Sequence, residues 1–359
     1  AALRAFFEAR LRAFYRNRYG GDVVEATLGA WVDDGFGSIR DLDARMKAVA
    51  GFRELPEYEP LLRVQAHPLR GWEMVPGEDH FTYHHPVTVN ALGLRGPELE
   101  PRRAGELRVL AIGDSLVYGQ GVADDETLPA QLEVLLEERL GSDVTVVNGG
   151  LRAYSTPQEL GLLEDLGARV DPDLVLLFWY WNDLDWIEPG PYAERLEATG
   201  PIAFDLRAAP EGWAIRKWRF KQLLRKSALL MALHDAVRDS VKVPQWIEVK
   251  HERLAELPAQ LERMREMSEA LGARFAALAI PKSSTLLGGT ELASEILEQA
   301  VEVSAAAEVE LLVLDASLDR LAQSLGTAPV VPFDGHYDAA GNRALARDTV
   351  DRLAELGPL

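Results

Sequence analysis

Residues Leu107–Gly121 read LRVLAIGDSLVYGQG, and this stretch decides the fold. A mostly apolar run from Leu107 to Ile112 stops abruptly at Gly113-Asp114-Ser115. A short apolar run closed by turn residues is the pattern of a strand buried on both faces of a parallel sheet. Gly119 and Gly121 come next as turn glycines. Ser115 then falls at the C-terminal edge of the sheet, where open α/β folds gather their ligands.

Outward from that strand, helix and strand alternate. Leu128–Leu140 has helical apolar spacing and is closed by Gly141. Val144–Val147 gives a second strand that runs into Asn148-Gly149-Gly150. Thr156–Leu166 gives a helix with Pro157 in its first turn. Leu174–Trp179 gives a third strand, ending in Tyr180-Trp181-Asn182-Asp183. Two further β-type runs, Phe275–Ile280 and Leu311–Leu314, flank a helix over Glu291–Ala307, and Ala339 opens a C-terminal helix. Strands separated by helices imply a parallel sheet covered on both faces.

The main domain divides into 107–184 and 259–359, interrupted by a cap or lid insertion at 185–258. That insertion opens with turn-rich sequence around Pro189, Gly190, Pro191, Gly200 and Pro201. It then carries WAIRKWRFKQLLRK at Trp213–Lys226, with six basic residues and no acidic one. Such a segment suits an amphipathic helix capping the cleft. Tryptophan and phenylalanine interleaved with lysine and arginine also suit a membrane-surface contact, and an acidic ligand or partner is the third reading.

Residues 1–60 read as a helical extension. Leu3, Phe6, Phe7, Leu11 and Phe14 make a helical stripe that stops at Gly20-Gly21. It either packs on the main domain or, given Arg4, Arg10, Arg12, Arg16 and Arg18, lies beside a membrane after a removed anchor. Residues 61–106 read as irregular β structure, with Gly96–Arg103 as a linker. His80, His84 and His85 lie here, but their spacing matches no zinc pattern and they read as loop histidines, so no metal is expected.

Composition bounds the function. The chain has 359 residues, a formal net charge of −19 and no cysteine. A net charge so negative opposes nucleic-acid binding, which rests on neutralising phosphates. Zero cysteines exclude disulfides, thiol catalysis and thiolate-bound metals. No apolar run approaches the roughly 20 residues that span a bilayer. The sequence opens at Ala1, so a missing leader or anchor says nothing about location.

The chemistry lies in residues just past strand ends. Val330–Arg343 reads VVPFDGHYDAAGNR, placing Asp334 and His336 two apart after an apolar lead. A serine hydroxyl needs a general base within hydrogen-bond reach, and imidazole is the natural one. A carboxylate that orients the imidazole completes a triad, so Ser115, His336 and Asp334 supply three roles. An oxyanion also needs donors. The N–H groups of Ser115 and Gly150 and the Asn182 side chain come after strand ends that converge on one sheet edge. Asp114 reads as a brace for the turn, and Asp183 as a helix cap or a brace for the asparagine loop. Trp179, Trp181 and Trp186 are core residues or a sugar or acyl platform beside Asn182. A dinucleotide fingerprint would need a glycine where Asp124 stands, and Ser115 lacks the G-x-S-x-G context of an ordinary α/β-hydrolase.

The order GDS…NGG…WND…DGH resembles the GDSL-like, or SGNH, hydrolases. The resemblance implies a three-layer α/β/α, flavodoxin-like fold with a sheet of about five strands, an ordinary size. It implies Ser115, Gly150, Asn182 and His336 as the four family residues, with Asp334 completing the triad and no cofactor. The Asp334-x-His336 spacing and the stretch Asn90–Gly96, NALGLRG, resemble a bacterial branch linked to cell-surface glycan chemistry. Ala153 stands where glycine is frequent, and Asn342 where histidine is. The implied activity is hydrolysis of an O-acyl ester, an O-acetyl group on a carbohydrate foremost, on the extracytoplasmic side of a bacterium. An O-acyltransferase to a glycan, a lipase- or thioesterase-like acyl hydrolase and a non-catalytic glycan-binding relative are the alternatives.

Overall fold

Before the apolar run the chain makes four short strands: β1 (Arg63–His67), β2 (Gly71–Met74), β3 (His80–Thr82) and β4 (His85–Val87). Next come β5 (Leu107–Gly113), α1 (Ser115–Tyr118), α2 (Leu128–Leu140), β6 (Val144–Gly150), α3 (Thr156–Val170) and β7 (Leu174–Trp179). After these come α4 (Pro189–Thr199), β8 (Ile202–Ala203), α5 (Val243–Leu254), α6 (Leu257–Ala270) and β9 (Arg274–Ala279). The chain closes with α7 (Glu291–Ala306), β10 (Leu311–Val313), α8 (Ala316–Leu325) and α9 (Ala339–Glu355). The computed structural model describes residues 63–78, 80–82, 85–185, 189–199, 202–203, 243–282, 291–331 and 335–357. Of these, all but Val331 and Gly335 belong to one unit, Leu61–Leu206 with Ser240–Val330 and His336–Leu359. The expected helices at 1–60 and Trp213–Lys226 lie outside the described residues.

The central sheet has the order β10-β9-β7-β5-β6, and every pairing is parallel. The inner strands β5, β7 and β9 are buried on both faces along most of their length, as the apolar runs require, while the edge strand β10 is partly covered. Leu110, Ile112, Val175, Leu177 and Trp179 face one apolar layer with α3, α6 and α7. Val109, Ala111, Leu174, Leu176 and Phe178 face the other with α2, α8 and α9. Strand order reverses between β5 and β7, the crevice at which doubly wound sheets bind ligands. Upstream, β1 pairs antiparallel with β2 and with β8, and β3 with β4.

The outer edge of β6 is blunted by side chains. The N–H groups of Val144 and Val146 donate to Glu137 Oε1 and Glu133 Oε2 of α2, at 3.4 and 2.8 Å. An unpaired edge would otherwise offer a template to another strand. A cavity of about 710 Å³ runs along this edge, lined by Glu98, Arg103, Glu106 and Glu133 among others. Neither Ser115 nor His336 lines it.

Several elements differ from the sequence reading. Strand β6 continues through Asn148 and Gly149 to Gly150, and α3 runs on to Val170. Pro189–Thr199 is a helix rather than turn-rich chain. Its prolines and glycine lie in the first turn, where a missing N–H costs nothing. Helix α6 begins just before the boundary expected at 258, and its Leu257, Leu261 and Met264 are core residues. Among the described residues no helix is long and apolar enough to cross a membrane.

Candidate active site

Ser115 opens α1 directly after β5, with Asp114 as the helix N-cap. Asp114 is fully buried. Its Oδ1 accepts the Leu116 N–H at 2.8 Å, and its Oδ2 lies 3.3 Å from Ser115 Oγ. A single helical turn cannot hold itself together in isolation, so this N-cap and the contacts at its far end fix the serine. Gly119 closes the turn with φ 84°, a left-handed conformation that favours glycine.

His336 brings its Nε2 to 2.7 Å from Ser115 Oγ. The next two residues pin the histidine. Tyr337 is buried, donates its hydroxyl to the Pro281 carbonyl at 2.6 Å and bridges to Val330. Asp338 caps α9 by accepting the Gly341 N–H at 2.9 Å. The third triad candidate, Asp334, lies outside the described residues.

Asn182 sits on a 3₁₀ turn, Trp181–Leu184, just beyond β7. Its Nδ2 donates to Asp114 Oδ2 at 3.0 Å, which carries the amide across the crevice to the serine turn. Asp183 braces this loop, accepting the Tyr180 N–H at 2.6 Å. From behind, Lys250 of α5 donates to the Trp181 carbonyl and pairs with Asp185, both at 2.9 Å. Burial pulls the Lys250 ammonium down from its ordinary range, against the opposing pull of Asp185. Arg253 donates to the Leu184 carbonyl at 2.8 Å. Part of the insertion thus anchors the asparagine loop, a contact that nothing in the helix's own sequence signals.

Gly150 corrects the sequence reading. Its N–H donates to Asn148 Oδ1 at 2.9 Å, so this group does not stand as an oxyanion donor. A Cβ on it would fall 2.1 Å from the Tyr118 nitrogen. Gly150 is what lets β6 pass against α1. Beyond it, Ala153 adopts φ 60°, which explains why glycine is frequent at this position.

The aromatic candidates separate. Trp179 is fully buried core. Trp181 carries the Lys250 and Lys282 ammoniums, each 4.5 Å from its ring centroid, so its indole serves cations. Trp186 lies outside the described residues. Of the histidines weighed as ligands, His80 is buried, its Nδ1 accepting the Arg63 N–H at 3.0 Å and its Nε2 lying 2.9 Å from the Val75 carbonyl. His84 lies outside the described residues. Among the described residues, no group of three or more acidic or histidine side chains is placed to hold a metal ion.

Two features escaped the sequence reading. Glu159 of α3 is fully buried, and neither of its carboxyl oxygens has a hydrogen-bond partner among the described residues. Burial first, and the Asp114 charge second, hold its carboxyl well above the usual range. Asp183 is raised too, by burial and then by Glu159 and Asp114. The second feature is Arg95, whose guanidinium lies buried against the carbonyls of the serine turn.

A family model described as the GDSL-like Lipase/Acylhydrolase family matches residues 111–356. No curated protein sequence matches the chain. Among solved structures, TesA is 18% identical over 69% of this chain and 99% of its own, with a TM-score of 0.40. The psychrotrophic esterase EstA from Pseudoalteromonas sp. is 13% identical over 69% and 97%, with a TM-score of 0.39. A two-domain esterase active on acetylated mannans is 10% identical over 71% and 51%, with a TM-score of 0.43.

Proposed function

The chain belongs to the GDSL-like lipase/acylhydrolase family and is a hydrolase of ester bonds; from that premise we propose that Ser115 is its nucleophile and His336 its general base. The observation that supports this reading is the 2.7 Å contact between His336 Nε2 and Ser115 Oγ. The Ser115 proton passes to Nε2 as Oγ attacks the ester carbonyl. The tetrahedral oxyanion takes hydrogen bonds from the Ser115 N–H and the Asn182 amide. His336 returns the proton to the leaving alcohol, and water repeats the sequence to free the acid. Asp334 orients the imidazole.

The ester we assign is an O-acetyl group on a carbohydrate, on the strength of the Asp334-x-His336 spacing and the Asn90–Gly96 stretch. A cell-surface glycan as substrate goes with an extracytoplasmic location. The test is hydrolysis of p-nitrophenyl esters from acetate to decanoate, wild type beside Ser115→Ala. Serine-dependent turnover that peaks at acetate supports the reading, and acetylated oligosaccharides are then the substrates to try. Turnover that survives in Ser115→Ala overturns the nucleophile, and a peak at long chains overturns the acetyl assignment.

A further inference from the structure

We propose that Arg95, upstream of the family-matched 111–356, is a positioning residue for the Ser115 turn. The inference rests on the reading of Ser115 as nucleophile and extends the catalytic apparatus to a segment outside the family match.

The guanidinium is 1% exposed, and its donors converge on one place. Nη1 donates to the Tyr118 and Gly119 carbonyls at 2.9 and 2.7 Å. Nη2 donates to the Val122 carbonyl at 2.8 Å, and Nε to Asp124 Oδ1 at 2.8 Å. The guanidinium carbon also lies 5.0 Å from the Tyr118 ring centroid. Three carbonyls at and just beyond the end of α1, of which that of Gly119 also accepts the Val122 N–H at 3.4 Å, thus share one cation, the charge that the C-terminal end of a helix favours. Because α1 is a single turn, Tyr118 and Gly119, two of the residues Arg95 holds, stand roughly 5 Å along the helix axis from Ser115.

The segment that presents Arg95 is itself fixed. Asn90 Oδ1 accepts the Leu92 and Leu94 N–H groups at 3.0 and 3.1 Å, tying the turn just before the arginine. The Arg95 backbone bridges to Val89 on one side and to Asn148 of β6 on the other. Asp124 Oδ2 accepts the Thr88 N–H at 3.1 Å, so the carboxylate that pairs with Arg95 also reaches its hairpin. Thr82 Oγ1 accepts the Gly121 N–H at 2.7 Å. The loop after the nucleophile is thus held from upstream of the matched domain by the Arg95 side chain, the Thr88 N–H and Thr82 Oγ1. Lysine could supply the charge but not the fork that spans three carbonyls.

The experiment compares full-chain wild type, Arg95→Lys, Arg95→Met, Arg95→Ala and Asp124→Asn. It reads kcat and KM on p-nitrophenyl acetate, the rate of Ser115 labelling by a fluorophosphonate, and the melting temperature. Misplacing a nucleophile costs on the order of 10²-fold in rate. We expect kcat of Arg95→Lys and Arg95→Met to fall by about that much with KM little changed, and labelling to slow in parallel. Asp124→Asn keeps the arginine and loses less. Millimolar guanidinium added to Arg95→Ala restores part of the labelling rate. Wild-type kcat and labelling in Arg95→Lys and Asp124→Asn, with only the melting temperature lowered, would overturn the proposal alone. A wild type that neither turns over nor labels would overturn the Ser115 reading, and this proposal with it.

Discussion

The Asn182 amide donates to Asp114 Oδ2 at 3.0 Å, and the same carboxylate caps the helix that Ser115 opens. One buried side chain therefore sets the distance between the Ser115 turn, which comes after β5, and the asparagine loop, which comes after β7. The two loops flank the crevice where strand order reverses. Asp114 is the tie across that crevice, and the oxyanion role proposed for Asn182 depends on this tie holding it.

Asn182→Ala is therefore expected to lower kcat on p-nitrophenyl acetate by on the order of 10²–10³-fold with little loss of stability. Asp114→Ala removes the helix cap as well, a change of about 1 kcal/mol, and frees the amide it held. The double variant should fall well short of the product of the two single losses, because both changes break one coupled unit. Steady-state kinetics on the four proteins decides the matter. Multiplicative losses would show that Asp114 and Asn182 act separately.

Gly150→Ala is expected to be damaging for a reason unrelated to oxyanion binding. An alanine keeps the N–H, so a glycine acting only as a donor would tolerate the change. The added Cβ would instead lie 2.1 Å from the Tyr118 nitrogen and 2.5 Å from the Val117 carbonyl carbon. Backbone on both sides must move, and overpacking of this kind costs about 1–3 kcal/mol or more. Thermal unfolding should show a lowered melting temperature together with slower fluorophosphonate labelling, since α1 carries Ser115. A wild-type melting temperature would contradict this account of Gly150.

Much of this architecture was legible in the sequence because parallel strands buried on both faces read directly as apolar runs. Leu107–Ile112 and Leu174–Trp179 gave the two strands that flank the crevice, and with them the places of Ser115 and Asn182. Helix α4 was hidden by Pro189, Gly190 and Pro191, which signal a turn anywhere except in a helix's first turn. Helix α8 was not expected from the sequence, although Leu318, Leu321, Ala322 and Leu325 make a helical stripe. Gly150 was misread because sequence register cannot tell a donor glycine from a packing glycine. Arg95 could be seen in a motif-like stretch, but its role depends on three carbonyls that only the folded chain brings together. Glu159 stands in the first turn of α3, where an acid is ordinary for electrostatic reasons and draws no notice in sequence; its burial near the Asp114 and Asp183 charges is a tertiary fact.

That burial has a consequence for pH. The folded state holds the Glu159 carboxyl well above its usual range, through burial first and the Asp114 charge second. Asp183 is raised by burial, Glu159 and Asp114, with Lys250 opposing. A carboxyl whose pKa is higher folded than unfolded keeps more protons in the native state, so stability falls as pH rises. The contribution is fully present below the unfolded value of about 4.3 and is lost as pH climbs through the folded one. Glu159→Gln removes one of the titrating groups while keeping its shape, and the neutral amide can donate to a neighbouring carboxylate. The variant should therefore gain melting temperature relative to wild type between about pH 5 and pH 8, with the gap widening toward the alkaline end. Activity should persist, because Glu159 does not touch Ser115, His336 or Asn182 by hydrogen bond. A gap that stays constant across this range would mean that Glu159 does not titrate with folding, and that the buried carboxyls beneath the site share their protons in some other way.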